Sequence, residues 1–426
     1  MKILFLLQDI PYPPTDGICW KAYNLIKCLA SRHECHIISF VGSDAARVKA
    51  FMRELPAVRV IDVVPLPRPG LSLLLKKIAM ILQGLPPSLA GYESKLFQQR
   101  VAAALLEDRY DVVHYDIVNM VQYEVFAPGI PSVHSPNDAT SLSCLRKSRQ
   151  EKSVFRKLYM LISAVLLRRY ERKTYPRFSR VHVVSSVDRQ YLEGISPGIN
   201  VETIPLVVDK VFLDARCAPA PERVGVNCVS NVTFVGDLRI QGIVNGLLEF
   251  LRESWPLIQH DHPGVQFRIL GRNAPQSLHR HLASLPAVEY TPWVENFVEY
   301  LQASDVVVFP DKSGTGIKNR VLQAMALGLP VIGSHAALEG IKSQESLQET
   351  GKLTSAEIAK KVSYLLDSTD RRRLAGDEAR QFIQSHYSIE IVGPQYQEFY
   401  QSMVRQSTVI LNNQLSAHQP ELVESR

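Results

Sequence analysis

The chain has 426 residues, 46% of them hydrophobic and 21% charged, with 48 Lys and Arg against 42 Asp and Glu. That length suits two or three domains with real cores, and the composition excludes wholesale disorder. No apolar run approaches the roughly 20 residues needed to span a bilayer, and Gln8 and Asp9 follow the first apolar stretch too soon for a secretory signal.

KILFLL (Lys2–Leu7) reads as a buried strand, followed by the Pro-rich turn PYPPTDG (Pro11–Gly17). Leu25, Ile26, Leu29 and Ala30 then form a helical stripe. Further strands are expected at Cys35–Gly42, Ala57–Val64, Asp111–Val118, Ile130–Ser135 and Arg180–Ser186. The stretches between them are long enough for crossover helices, so the strands should form a parallel sheet. A Pro- and Ala-rich break at Ala215–Arg223 separates this from a second series. Its strands are Val232–Gly236, Val265–Gly271, Ala287–Thr291, Asp305–Pro310 and Leu329–Gly333. Two Rossmann-like α/β domains facing each other across a cleft are the expected architecture, with ligands at the carboxyl ends of the strands. The expected divisions are an N-terminal domain over 1–205, a C-terminal domain over 206–388, a helix over 389–406 crossing back to the first domain, and a polar tail over 407–426.

Charge is unevenly spread. Residues 1–213 hold 28 basic and 19 acidic side chains, the remainder 20 and 23, and Glu151–Arg180 alone has nine basic and two acidic. Such a half suits an anionic partner. The six cysteines (Cys19, Cys28, Cys35, Cys144, Cys217, Cys228) show no CxxC pair and no companion histidines, so free thiols in a reducing cytosol are expected.

The stretch Asp311–Ile341 carries the most chemistry. A turn with Gly314 and Gly316 precedes a helix expected from about Ile317 to Leu327, and Gly328 stands where a helix is usually terminated. Backbone N–H groups of Gly314, Thr315, Gly316 and Ile317 at a helix start, with Lys318 and Arg320 within one turn, suit a diphosphate. An ordinary strand–turn–helix joint with surface basic residues is the competing reading.

SGTGIKNRVLQAMALGLPVIG (Ser313–Gly333) resembles the donor-binding segment of retaining glycosyltransferases of GT-B fold, the bacterial group 1 or family 4 class. VTFVGDL (Val232–Leu238), WPLIQHDHPGVQFRILGRNAP (Trp255–Pro275) and VEYTPWVENFVEYLQASDVVVFP (Val288–Pro310) resemble other parts of that class in the same order. So do the Gly17 turn with Lys21 and, at Arg168–Leu192, the segment closing the N-terminal domain. The resemblance covers nearly the whole chain. It departs from the family at two glutamates spaced eight residues apart, which fall here on Thr315 and Gln323. Only Arg239 follows the Gly236 loop, with no lysine after it, and the linker strand (Ile204–Asp209) lacks the usual glycine.

The resemblance implies transfer of a sugar, with retained anomeric configuration, from a UDP- or GDP-linked donor to a glycan, lipid-linked or small-molecule hydroxyl acceptor. It implies no cofactor and no metal. Phosphate charge would be met by the Gly314–Gly316 backbone with Lys318, Arg320, Arg239 or Arg272, the ribose by Gln323, and the base by a wall near Trp293 and Val294. Candidates for the polar group beneath the sugar are His114, Asp116, His134 and Asp138. The alternatives are that His114 is a packed strand histidine and Asp138 a helix N-cap. Asp16, Gly17 and Lys21 are expected on the acceptor side, Gly17 because it lets backbone approach a ligand.

Leu71–Ser88 and Phe155–Lys173 combine apolar stretches with basic residues, which favours peripheral docking of a cytoplasmic protein on the inner face of an anionic membrane. Core helices with solvated charged ends are the alternative. No aromatic-interleaved basic motif points to nucleic acid. Two other functions fit the same scaffold: a nucleotide-sugar epimerase, and a non-catalytic sugar-nucleotide-binding partner subunit suggested by Thr315 and Gln323.

Overall fold

The computed structural model describes residues 1–42, 46–67, 69–215, 230–341 and 354–417. Two parallel sheets organise it. The first contains β1 (Lys2–Leu7), β2 (Glu34–Val41), β3 (Val58–Pro65), β4 (Val112–Asp116), β5 (Ser132–Ser135), β6 (Arg180–Val183) and β7 (Val201–Thr203), in the order β3-β2-β1-β4-β5-β6-β7. The second contains β8 (Asn231–Asp237), β9 (Gln266–Arg272), β10 (Val288–Thr291), β11 (Val306–Phe309) and β12 (Val331–Gly333), in the order β10-β9-β8-β11-β12.

Helices cover both faces of each sheet, which is why the central strands are apolar at nearly every position rather than alternating. On one face of the first sheet, Leu4, Leu6, Val113 and Tyr115 pack with Phe97, Val101 and Leu167. On the other, Ile3, Phe5, Leu7 and Val112 pack with Leu25 and Leu29 of the Gly17–Ala30 helix. Val392, Tyr396, Phe399, Tyr400 and Met403 join that second core, so the C-terminal helix closes over the N-terminal lobe.

Strand order reverses between β1 and β4 in one sheet and between β8 and β11 in the other. At such switch points neighbouring crossovers leave in opposite directions and open a crevice beyond the strand ends. Of the sequence-predicted site residues, Asp16 lies in the loop after β1, Arg239 in the loop after β8 and Gly314–Lys318 in the loop after β11, while Asp116 ends β4.

Some local expectations needed correction. The fourth strand was expected to run to Val118 but ends at Asp116, where Ile117 turns the chain with φ 54°. A β-branched residue resists that conformation, and apolar periodicity does not reveal it. The helix expected from Ile317 begins at Asn319. The last helix runs Ile389–Ala417, past the residue 407 at which a polar tail was expected. β7, three residues long, is too short to show a period. Cys19, Cys28 and Cys35 are buried free thiols pushed up to about 12 by burial, and Cys144 is a half-buried one. Cys217, Cys228 and the Ala215–Arg223 break beyond Ala215 lie outside the described residues.

Candidate active site

Two of the sets of contacts that join the lobes among the described residues lie on the carboxyl side of both sheets. In the first, the turn after β1 faces the ends of β8 and β9. Arg272 Nη1 donates to Thr15 O at 2.8 Å, and Asn319 Nδ2 donates to Gly17 O at 3.3 Å. A Cβ on Gly17 would stand 3.4 Å from that Asn319 nitrogen, in van der Waals contact across the seam. The Asp16 carboxylate caps the following helix, accepting from Ile18 N at 3.0 Å and Cys19 N at 2.9 Å.

Asp237, at the end of β8, organises the cationic side of this cleft. It accepts from Arg239 Nη2 at 2.7 Å, Arg272 Nε at 3.2 Å and Asn273 Nδ2 at 3.3 Å. Burial pushes its carboxyl up, but the bonds from Arg239 and Asn273 hold it below the usual carboxylate range. Asn273 reaches it from a left-handed turn at φ 62° that asparagine tolerates. Two guanidinium groups with exposed area therefore stand beside the Gly17 turn, held in place by one carboxylate. Gly236 is required for packing: a Cβ there would meet Ile243 and Phe234, each at 2.8 Å. Trp293 is 70% exposed, with Val294 half-buried beside it, on the loop after β10, the edge strand next to β9.

The second set joins the turn after β11 to the N-terminal lobe. Thr315 Oγ1 donates to the Asp138 carboxylate, and Arg146 binds both Gly314 O (2.9 Å) and Glu339. Gly316, at φ 63°, brings its backbone against Asn137 O and Asp138. Gly340, at φ 84°, lies against Ser185 and Ile317, where a Cβ would come within 3.1 Å of both.

At the phosphate pocket expected at the start of the Asn319–Ala326 helix, the two basic side chains already have partners. Arg320 is committed to its own lobe, binding Asp311, donating to Val235 O at 2.6 Å and lying 5.0 Å over the Phe309 ring. Lys318 Nζ donates to Gly316 O at 2.6 Å inside the same turn. Desolvation lowers its ammonium to about 8, against the opposing pull of Asp311 and Glu339. Gln323 is 6% exposed in the second half of that helix. The cations left facing the first inter-lobe seam are Arg239 and Arg272.

The four candidates beneath the sugar separate into two groups. His114 and His134 are buried inside the sheet rather than at a cleft mouth, which corrects that expectation. His114 Nδ1 pairs with Tyr400 OH at 2.6 Å, and His134 Nδ1 with Tyr115 O at 3.0 Å beside the Tyr175 ring. Burial lowers both imidazoles, His134 to about 3. Asp116 is 2% exposed and pairs with Lys21 at 2.9 Å; Lys21 also donates to Ser135 O at 2.6 Å. Ser135 Oγ continues to His182 Nδ1 at 2.8 Å, and Tyr396 OH lies 3.3 Å from His182 Nε2. Lys21 thus sits in a buried network rather than on an open acceptor surface. Burial raises the Asp116 carboxyl, and Lys21 counteracts it.

Asp138 alone faces the other lobe, and it is not an N-cap. The Thr140–Gln150 helix is capped from elsewhere: Asp188 accepts from Ala139 N at 2.8 Å, and Glu171 accepts from Ser141 N at 2.9 Å. Burial raises Glu171 to about 7.

Asp237, Asn319, Arg146 and Glu339 were absent from the sequence reading. Asp237 had a signal, since a carboxylate follows the Gly236 turn directly; the inter-lobe partners had none. Among the described residues, one cluster has metal-ligand proximity, Glu34, His36 and Asp108. It lies at the amino ends of β1 and β2, where Lys2 Nζ already binds Asp108 at 2.7 Å and Glu34 at 3.2 Å.

Comparison with known proteins agrees with this architecture. A family model described as "Glycosyltransferase Family 4" matches residues 17–211, and one described as "Glycosyl transferases group 1" matches residues 230–368. The structure is similar to a sucrose-phosphate synthase (tll1590) from Thermosynechococcus elongatus, with TM-score 0.66 and 15% identity over 95% of this chain and 100% of that one. It is also similar to Anabaena Alr3699/HepE in complex with UDP and glucose (0.63, 15%, 94% and 100%) and to TarM (0.65, 12%, 94% and 99%). At these identities the likeness concerns the fold. No curated protein matches the sequence.

Proposed function

Because the chain belongs to the group 1 and family 4 glycosyltransferases of GT-B fold, we propose that it transfers a sugar, with retention, from a nucleotide-diphosphate-sugar to a hydroxyl acceptor in polysaccharide, glycolipid or glycoside assembly. One observation carries this reading. Arg239 and Arg272, fixed by Asp237, flank the Gly17 turn of the opposite lobe at the switch points of both sheets. Two positioned guanidinium groups at a backbone turn suit a diphosphate whose charge grows as the sugar leaves. A UDP-linked donor has support in Anabaena HepE, whose complexes hold UDP and UDP-glucose.

The residues have distinct tasks in this scheme. Arg239 and Arg272 bind the departing diphosphate, and Gln323 hydrogen-bonds the ribose as a neutral partner. Asp138, the carboxylate at the seam, is the group closest to where an acceptor would enter between the lobes. Lys21 and Asp116 hold the ends of β1, β4 and β5 in register and need not touch substrate. The scheme uses no metal: Arg239 and Arg272 would supply the positive charge that meets the phosphates. The protein works in the cytoplasm, against the inner face of the membrane.

Thr315 and Gln323, standing where the family has glutamates, favour the non-catalytic partner as a second reading. Calorimetry with UDP-, GDP- and other nucleotide-sugars, followed by nucleoside-diphosphate release with and without hydroxyl acceptors, separates the two. Acceptor-dependent release, with NMR of the product's anomeric centre reporting retention, is the expected result. Donor binding without release for any acceptor would leave a binding subunit, and a freed epimeric sugar nucleotide would indicate an epimerase.

A further inference from the structure

Two helices of the N-terminal lobe present apolar side chains that no part of the described chain buries. The Leu71–Leu82 helix has no buried residue. Leu71, Leu74, Leu75, Ile78 and Leu82 are all exposed, Leu82 at 83%. Their spacing places them on one face of the helix, while Leu73 and Met80 are half-buried on the opposite side. An open groove of about 550 Å³ runs along Leu71, Leu75 and Ala79. The Val154–Thr174 helix repeats the feature in its first half. Phe155 is 87% exposed and Val154 76%, with Leu158, Leu161, Ile162 and Val165 also exposed. Only from Ser163 onward does that helix enter the core.

Scattered surface leucines are ordinary, but two continuous apolar faces are not. Their charge identifies what covers them. Lys76 and Lys77 lie on the first helix, and Lys152, Arg156 and Lys157 at the start of the second. No acidic residue occurs between Leu71 and Tyr92 or between Lys152 and Tyr170; of these cations Lys76 makes an exposed ion pair with Glu93 at 3.3 Å. A second copy of the chain, packed symmetrically, would set these cations against their own counterparts. An anionic leaflet instead accepts the apolar faces in its acyl boundary and the cations at its headgroups.

Both helices also lie toward the cleft. The first follows the carboxyl end of β3, and the second follows the Thr140–Gln150 helix, whose Arg146 and Gln150 contact the other lobe.

We propose that these two helices are a membrane footprint that seats the N-terminal lobe on an anionic bilayer with the inter-lobe cleft beside the lipid surface. The footprint makes the acceptor of the function proposed above a lipid-linked hydroxyl, and in that respect it rests on that reading. The alternative of a core helix fails for Leu71–Leu82, which buries nothing, and holds only for the second half of Val154–Thr174, from Ser163 onward.

The full chain should co-sediment with phosphatidylglycerol-containing vesicles and bind pure phosphatidylcholine vesicles at least about tenfold more weakly, the difference shrinking as salt rises. Leu74→Glu with Ile78→Glu, and Phe155→Glu with Leu158→Glu, should each lower vesicle partition roughly tenfold or more. Neither pair should alter nucleotide-sugar affinity by calorimetry or the far-ultraviolet circular dichroism spectrum. Absence of vesicle binding by the unmodified chain would overturn the proposal. So would light scattering that shows a dimer abolished by the same substitutions. Vesicle binding without nucleotide-sugar binding would leave the footprint standing and remove the function reading instead.

Discussion

The Thr315 hydroxyl of one lobe donates its hydrogen to the Asp138 carboxylate of the other, beside the Gly316 turn. Thr315 is one of the two positions at which the family resemblance leads to the expectation of a glutamate. A glutamate at 315 would put a second carboxylate beside Asp138, and like charges at that distance repel. Thr315 and Asp138 are therefore matched to each other.

The match makes a paired-variant prediction. Thr315→Glu should lower kcat/KM at least about tenfold, the scale of one lost charge-assisted bond plus repulsion. Adding Asp138→Asn should restore much of it, because the repulsion is gone. Steady-state kinetics on the four proteins of the cycle measure the coupling, and no rescue would mean that the two side chains act independently.

The buried Lys21–Asp116 pair makes a different prediction. Lys21→Met or Asp116→Leu alone should destabilise the fold by about 3–5 kcal/mol, since each leaves an unpaired charge inside the protein. The double variant should recover most of that loss. Urea unfolding midpoints test this, and an inactive but fully stable Asp116→Leu variant would instead assign Asp116 to the chemistry.

The arginine pair should control donor binding. Arg239→Ala and Arg272→Ala should each weaken nucleoside-diphosphate affinity by about 10- to 100-fold, as expected for charge-assisted bonds. Arg320→Ala should act mainly on stability, because Arg320 is tied to Asp311 and Val235 O. Calorimetry with UDP distinguishes the three.

Glu171 should make stability depend on pH. Its carboxyl is raised by burial from an ordinary 4.5 to about 7, so between those values the folded state holds a proton that the unfolded state has released. Stability should then fall as pH rises from about 4.5 to 7 and stay at the lower level above that. Glu171→Gln should flatten this slope and be the more stable protein at pH 8, as chemical denaturation across the range would measure. An unchanged slope would place the titration on another group.

Much of the fold was legible because its information is local. Each strand announces itself as a short apolar run, since parallel strands covered on both faces tolerate few polar residues. The Gly236 and Gly314–Gly316 turns were also visible in this way. His114 shows the limit. A histidine in a strand near a site has the same letters whether it faces solvent or packs against Tyr400, 286 positions away. Arg320 shows it too: charge near a helix start suggested a phosphate contact, yet its partner Asp311 is nine residues back in its own lobe.

From the sequence alone came two α/β units, their order and the glycine turns at strand ends, consequences of periodicity and local backbone geometry, and a family resemblance carried by ordered motifs. Tertiary structure alone decided which cations face the seam, which carboxylate meets Thr315, and which apolar helices remain uncovered. Those outcomes depend on groups brought together from opposite lobes. The free energy of a buried or paired charge is set by neighbours distant along the chain, which no local pattern encodes.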